Sequence, residues 1–270
     1  MIMKHLVGGI LPVLTLGLAV TGCMSGTAEQ TAAKKPVSEQ SRLMKIARDI
    51  DAKGESGTAL ALYERAAEMS ENDSTVYVRL GNARMKDGDP DGAEQAYRSA
   101  LQINPQDANA MLGLGTVQLQ RGDASAAARI LASAAPAVNT VSAYNKLGTA
   151  MVLSGDGAGA EGAFAKALAL QPGNLDTKTN LALAQALSNK LPDASTSMNS
   201  VVTSPLAEKR HFINYMIILS MSGDSAGARA IDVPDMAVNQ KNQILAKAAK
   251  LRSIQDPAKR AQAIGLLASA

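Results

Sequence analysis

The sequence has no tryptophan, one cysteine, two histidines and only 3% aromatic residues, so it lacks the large rings of an ordinary globular core. The lone Cys23 cannot form an intramolecular disulfide, and with two histidines no Cys/His zinc site can be assembled. An excess of one charge is also missing. There are 27 basic residues against 24 acidic ones, and loss of Lys4 with a leader would leave 26 against 24. A near-neutral chain does not present the concentrated basic surface of a nucleic-acid binder, so no polyanionic partner is expected. No nucleophile elbow, zinc motif or phosphate loop occurs; neither an enzyme nor a metal or cofactor is expected. What is abundant is small. Alanine dominates a hydrophobic share of 46%, which points to helices in close approach, held by many small contacts.

Two strings imitate sites. Gly157, Gly159 and Gly162 match the GxGxxG pattern, but a dinucleotide site needs a preceding strand, and these glycines fall at a turn within a repeat. Asp87, Asp89 and Asp91 open like a calcium loop, yet its bidentate glutamate would fall at Arg98. His211 sits beside Arg210 and Phe212 with no second histidine, cysteine or paired carboxylate signal, and is read as a solvated or packing residue.

Residues 1–22 read as an address. Lys4 and His5 give a positive start, Leu6 to Val20 form an apolar stretch too short for a span, and small residues follow. Val20-Thr21-Gly22-Cys23 resembles a bacterial lipobox, with valine where leucine is commoner. The resemblance implies that Cys23 becomes the first mature residue and carries a diacylglycerol thioether and an N-acyl chain. The alternative is an ordinary secretory signal cut elsewhere, or an uncleaved anchor. At about 0.8 kcal/mol per buried methylene, several acyl chains anchor firmly. In the Gram-negative sorting scheme that accompanies the lipobox, aspartate after the cysteine favours inner-membrane retention. Met24 therefore implies the outer membrane, on its periplasmic face. Residues up to 39, rich in Ser, Thr, Gln and Lys, read as a flexible tether averaging roughly 20–25 Å.

From Ser41 the chain repeats on a unit of about 34 residues. A small residue recurs in the first helix of each unit at Ala47, Gly81, Gly115, Gly148 and Ala182, preceded by Ile46, Leu80, Leu114, Leu147 and Leu181. In the second helix it recurs at Ala59, Ala93, Ala127, Ala160, Ala194 and Ala228. Tyr63, Tyr97, Leu131, Phe164 and Met198 stand four residues later, followed by Ala66, Ala100, Ala134 and Ala167. Turns are expected at Gly54, Gly88, Gly122, Gly155, Asn189 and Gly223, where a left-handed residue closes one helix. Asp89, Asp123, Asp156 and Asp224 follow, each placed to cap the next helix. All seven aromatics fall on packing positions, leaving none for stacking on bases or sugars.

This pattern resembles the tetratricopeptide repeat (TPR) over about residues 40–231, as some six units of which the third is a residue short and the sixth breaks down after Ala230. The resemblance implies an all-α fold, a right-handed superhelical solenoid of antiparallel helix pairs. Residues 232–270 are expected to form helices that cap its end, as solenoids require. The first helix of each TPR lines a concave groove. The groove-facing places map to Thr75, Val78, Asn82, Met85, Asn109, Leu112, Thr116, Leu119, Ser142, Asn145, Thr149, Val152, Thr179, Leu183, Ala186, Ile213 and Ile217. The Lys and Asn ring that clamps a C-terminal carboxylate in chaperone-binding TPRs is missing, with Lys86 alone coming close. An apolar channel edged with Asn and Thr suits an amphipathic helix or an extended apolar segment. The competing reading is that these residues only pack within a tight superhelix or against the C-terminal helices.

The stretches 144–174, 180–194 and 210–236, the last ending in a broken repeat, are similar to the TadD family of TPR lipoproteins of the tight-adherence (Flp pilus) assembly system. The tail departs from that family in lacking an aromatic-rich finish. The resemblance implies a pilotin-like role, in which the protein binds an outer-membrane secretin or another pilus-assembly component and helps it reach its membrane. A scaffold that recruits cell-wall enzymes or other envelope complexes is the other class of function open to such a chain.

Overall fold

The computed structural model describes residues 38–70 and 72–268, except the side chains of 266–268, and all of these belong to one compact unit, Val37–Ala270. Cys23, the lipobox and the tether to residue 37 lie outside the described residues. The described residues are helical, without strands, and no helix among them is long and apolar enough to cross a membrane.

The helices come in antiparallel pairs. α1 (Glu39–Ala52) pairs with α2 (Ser56–Glu68), α3 (Ser74–Asp87) with α4 (Pro90–Ile103), and α5 (Ala108–Gln120) with α6 (Ala124–Val138). α7 (Val141–Leu153) pairs with α8 (Gly157–Leu170), α9 (Leu175–Leu187) with α10 (Leu191–Val202), and α11 (Lys209–Ser222) with the short α12 (Ser225–Ala230). α13 (Val238–Lys250), a 3₁₀ turn and α14 (Pro257–Ala268) follow. Through α11 each helix packs chiefly on its neighbours in sequence, the signature of a solenoid.

Local chemistry explains the pairing. Gly54, Gly88, Gly122, Gly155 and Gly223 adopt φ between 80° and 89°, and Asn189 has φ 62°, so each inter-helix turn is closed by a left-handed residue. The carboxylates of Asp89, Asp123, Asp156 and Asp224 each accept the backbone N–H three residues on, at 2.8–2.9 Å. That satisfies one of the donors a helix N-terminus leaves free. Pro136 does not end α6. It sits in the last turn, and the helix runs on to Val138, where Asn139 caps it in the left-handed region.

The recurring alanines of the second helices, Ala59, Ala93, Ala127, Ala160, Ala194 and Ala228, are fully buried. Above them Tyr63, Tyr97, Leu131, Phe164 and Met198 fill the gap between pairs. Their fit depends on missing side chains opposite. A Cβ at Gly81 would lie 2.6 Å from the Tyr97 ring, at Gly115 2.7 Å from Leu131, and at Gly148 2.6 Å from Phe164. The core is therefore a string of small clusters along the stack, largest where α9–α14 meet. Of the aromatics, Tyr77, Phe212 and Tyr215 are half-buried at cluster edges rather than inside. Ile46 is 47% exposed because α1, first in the described stack, has no earlier pair among the described residues to cover it.

Polar ties join residues about one unit apart. Ser74 donates to Asp107 (2.8 Å), Lys86 pairs with Asp51 (2.7 Å), Lys190 with Glu161 (2.9 Å), and Arg121 bridges Asp91 and Glu94. Between α9 and α11 the tie is more buried. His211 was expected to lack a carboxylate, yet Asp176, 35 residues earlier, stands 3.0 Å from its Nε2. Its Nδ1 accepts the Glu208 N–H at 2.8 Å, so Nε2 carries the proton and donates to Asp176. The packing role holds, with a partner that only the repeat brings near.

Arg210 also donates to Asp176 (2.9 Å), and this guanidinium, against partial burial and helped by the His211 hydrogen bond, holds the Asp176 carboxyl below its ordinary value. A depressed folded value stabilises the fold above the unfolded value, and that contribution is lost as pH falls through the folded one. Asp176→Asn is expected to lower the melting temperature by about 2–4 °C at pH 7, the effect of about 1 kcal/mol after solvent screening. The gap between wild type and variant is expected to close below pH 4, as thermal unfolding followed by circular dichroism will show.

Candidate protein-binding groove

The first helices place their exposed faces side by side, and an open depression runs along α3, α5 and α7. Its largest part, about 700 Å³, is lined by Thr116, Leu119, Asn145, Lys146, Thr149 and Leu153 among others. A second part, about 230 Å³, adjoins it through Thr116 and Lys146 and is lined by Asn82, Met85, Tyr97, Asn109, Leu112 and Gly113. A third, about 170 Å³, holds Thr75, Val78, Arg79, Asn82, Asp107 and Asn109. Of the expected groove residues, the structure brings together Val78, Asn82, Met85, Leu112, Thr116, Leu119, Asn145 and Thr149 along this open stretch.

Farther along the stack the expectation is corrected. α13 packs on α11 at the end of the stack as expected, but α14 returns across the first helices and packs on α7, α9 and α11. Ala261 and Ile264 are buried there, beside a residual space of about 250 Å³ lined by Val152, Leu183 and Asn214. Val152 and Leu183 thus face the chain's own helix. Ile213 and Ile217 are buried in the α9–α14 cluster and line no open groove. The competing reading, packing against the C-terminal helices, describes α9, α11 and the part of α7 around Val152, while α3, α5 and the side of α7 facing α5 stay open.

Several lining residues escaped the sequence, and two of them bear on binding. Tyr97, assigned to the core, is 2% exposed, yet its hydroxyl donates to Asn82 Oδ1 at 2.7 Å and its ring edge lines the groove. Burial pushes its phenol up to about 12, so it stays a neutral donor. Lys146 is the other. Lys86, the cation singled out by sequence, is engaged by Asp51 and lines none of these spaces.

The decoys dissolve. Asp89 caps α4, Asp91 pairs with Arg121, and Gly157, Gly159 and Gly162 all lie in α8. Among the described residues no three His, Cys, Asp or Glu gather as metal ligands.

The architecture is that of a helix-pair repeat protein with an open face built for association. Two tetratricopeptide-repeat family models match, over residues 45–108 and 84–150. Residues 45–150 are tetratricopeptide repeats, and the helix pairs that follow continue the same stack. Among solved structures it is similar to a tetratricopeptide repeat protein from Parabacteroides merdae, with TM-score 0.63, 15% identity, and 85% of this chain and 92% of that one covered. It is similar also to Pseudomonas aeruginosa pilF, with TM-score 0.58, 15% identity, and 71% and 88% covered. YrrB, a TPR protein with an unusual peptide-binding site, gives TM-score 0.55 and 17% identity, with 74% and 95% covered. At these identities the likeness concerns the fold. Comparison with curated proteins gives no match.

Proposed function

We propose that this TPR protein is an outer-membrane-anchored periplasmic lipoprotein that holds a segment of a protein partner in the groove over α3, α5 and α7. It performs no chemistry of its own and uses no cofactor beyond the lipid on Cys23. The observation that supports this reading is the open stretch itself, where apolar Leu112, Leu119 and Met85 lie among Asn82, Asn109, Asn145 and Thr116. Apolar side chains bury a partner's apolar face, and side-chain amides satisfy the polar groups beside it. The partner we assign is an outer-membrane secretin of a tight-adherence pilus, on the strength of the TadD resemblance. Its apolar segment, hidden in the groove, would be kept from aggregation and carried where the acyl chains partition.

Cys23→Ser tests this reading. Membrane fractionation is expected to show the variant leaving the outer membrane, with secretin multimers in that membrane falling about tenfold. Secretin multimers normally placed in the variant would overturn the pilotin-like role. Cell-wall enzymes recovered with the wild-type chain in place of a secretin would favour the scaffold function.

A further inference from the structure

We propose that the groove's occupant is an amphipathic helix carrying an acidic side chain at the edge of its apolar face, with that carboxylate seated on Lys146. The inference rests on the groove reading above and adds the chemistry of the ligand.

The first observation is a cation without a counter-charge. Lys146 lines both larger parts of the open stretch and is only half-exposed, and among the described residues no carboxylate pairs with it. Burial pushes its ammonium below the usual lysine range, as expected where water is partly removed and no anion replaces it. The second is where it stands. Counting back two residues from the small residue of each first helix gives Lys45, Arg79, Gly113, Lys146 and Asn180. Cations thus stand at the same place on α1, α3 and α7, and between α3 and α7 that place is Gly113, against which the Tyr97 ring packs. Arg79 is exposed and forms no ion pair among the described residues. The acidic residue lining these three spaces, Asp107, already accepts the N–H groups of Asn109 and Ala110 and the Ser74 hydroxyl. The open stretch therefore offers two cations against one carboxylate, and that carboxylate lies away from Lys146 with its oxygens already accepting three hydrogen bonds.

The third observation shows what shape of ligand the face accepts, because the chain seats a helix there itself. α14 lies on α7, α9 and α11 through Ala261 and Ile264, and Thr149 and Leu153 line both its seat and the open stretch. The open stretch continues a surface that already holds an amphipathic helix, and differs from the covered part in carrying Lys146. Asn145, next to it in sequence, is partly engaged by Thr177 (2.9 Å). Asn109 and Thr149 are exposed and complete the polar edge around the ammonium.

The test is selection of displayed helical peptides of random sequence on the full-length chain in detergent, repeated on Lys146→Met and Lys146→Glu after circular dichroism shows both folded. Peptides taken by the wild type are expected to carry Asp or Glu flanking an apolar i, i+3, i+4, i+7 face. Lys146→Met should weaken them about tenfold. Glu→Gln in the peptide should weaken binding by a similar factor, and the two changes together by little more than either alone. Lys146→Glu should select Lys or Arg at the same place. Peptides that depend on Leu112 and Leu119, show no acidic preference and bind Lys146→Met equally would overturn this assignment and leave the groove reading standing. Failure to select any peptide sensitive to Leu112→Glu with Leu119→Glu would overturn both.

Discussion

Gly113→Val is expected to destabilise the fold by about 3 kcal/mol, a melting-temperature drop of about 6–12 °C, the largest stability effect of any single change considered. A Cβ at Gly113 would fall 2.3 Å from two carbons of the Tyr97 ring, and one at Gly81 2.6 Å from the same ring. Tyr97 is held between α3 and α5 and tied by its hydroxyl to Asn82, so it has no direction in which to yield. Even Gly113→Ala meets this clash. Gly162→Ala is the control: it is also within a helix, but nothing lies within 4 Å of its added Cβ. It is expected to stabilise by about 0.5–1 kcal/mol, the usual gain when alanine replaces an unencumbered helical glycine. The same substitution thus takes opposite signs at two helical glycines. Thermal unfolding of both variants checks it, and equal shifts would contradict the packing described.

Leu112→Glu with Leu119→Glu is expected to reduce recovery of the partner about a hundredfold from a chain that still folds. Both side chains are half-buried along α5 and line adjoining parts of the open stretch. Both introduced carboxylates share a space with Lys146, which can neutralise one of them; the other would face the partner's apolar surface unpaired, and such burial costs several kcal/mol. Val152→Glu is less informative, because Val152 sits under α14 and its reversal would disturb the chain's own helix. Affinity capture from detergent-solubilised envelopes, with circular dichroism as the folding control, measures the loss.

The stack was legible in the sequence because its determinants are local and recur. A left-handed Gly, an Asp cap and a small residue four places before a bulky one each act within a few residues, and repetition makes them visible. The open half of the groove followed, since position within the unit fixes which face a first-helix residue presents. What escaped depends on contacts between units or on the tail. Gly113 is not at the recurring small-residue place of its own unit; it is small because Tyr97 of the preceding pair fills the space. Asp176 reaches His211 only because one unit lies between them. Lys146 looks like any helical lysine until the surrounding elements leave it without an anion. Nor does periodicity say where α14 goes after the repeats end, and its return over α7, α9 and α11 converts Ile213, Ile217, Val152 and Leu183 from groove lining into internal contacts.

The central claim is that the α3–α5–α7 face, and no other, holds the partner. Site-specific photo-crosslinking in the native envelope tests it most directly, with the reactive group at Thr116 in the groove and, for comparison, at exposed Ser133 on α6, which lines none of the open spaces. The account predicts a discrete crosslinked partner from Thr116 that is absent from Ser133 and disappears with Leu112→Glu and Leu119→Glu. Equal crosslinking from both positions, or a partner captured from Ser133 alone, would contradict it.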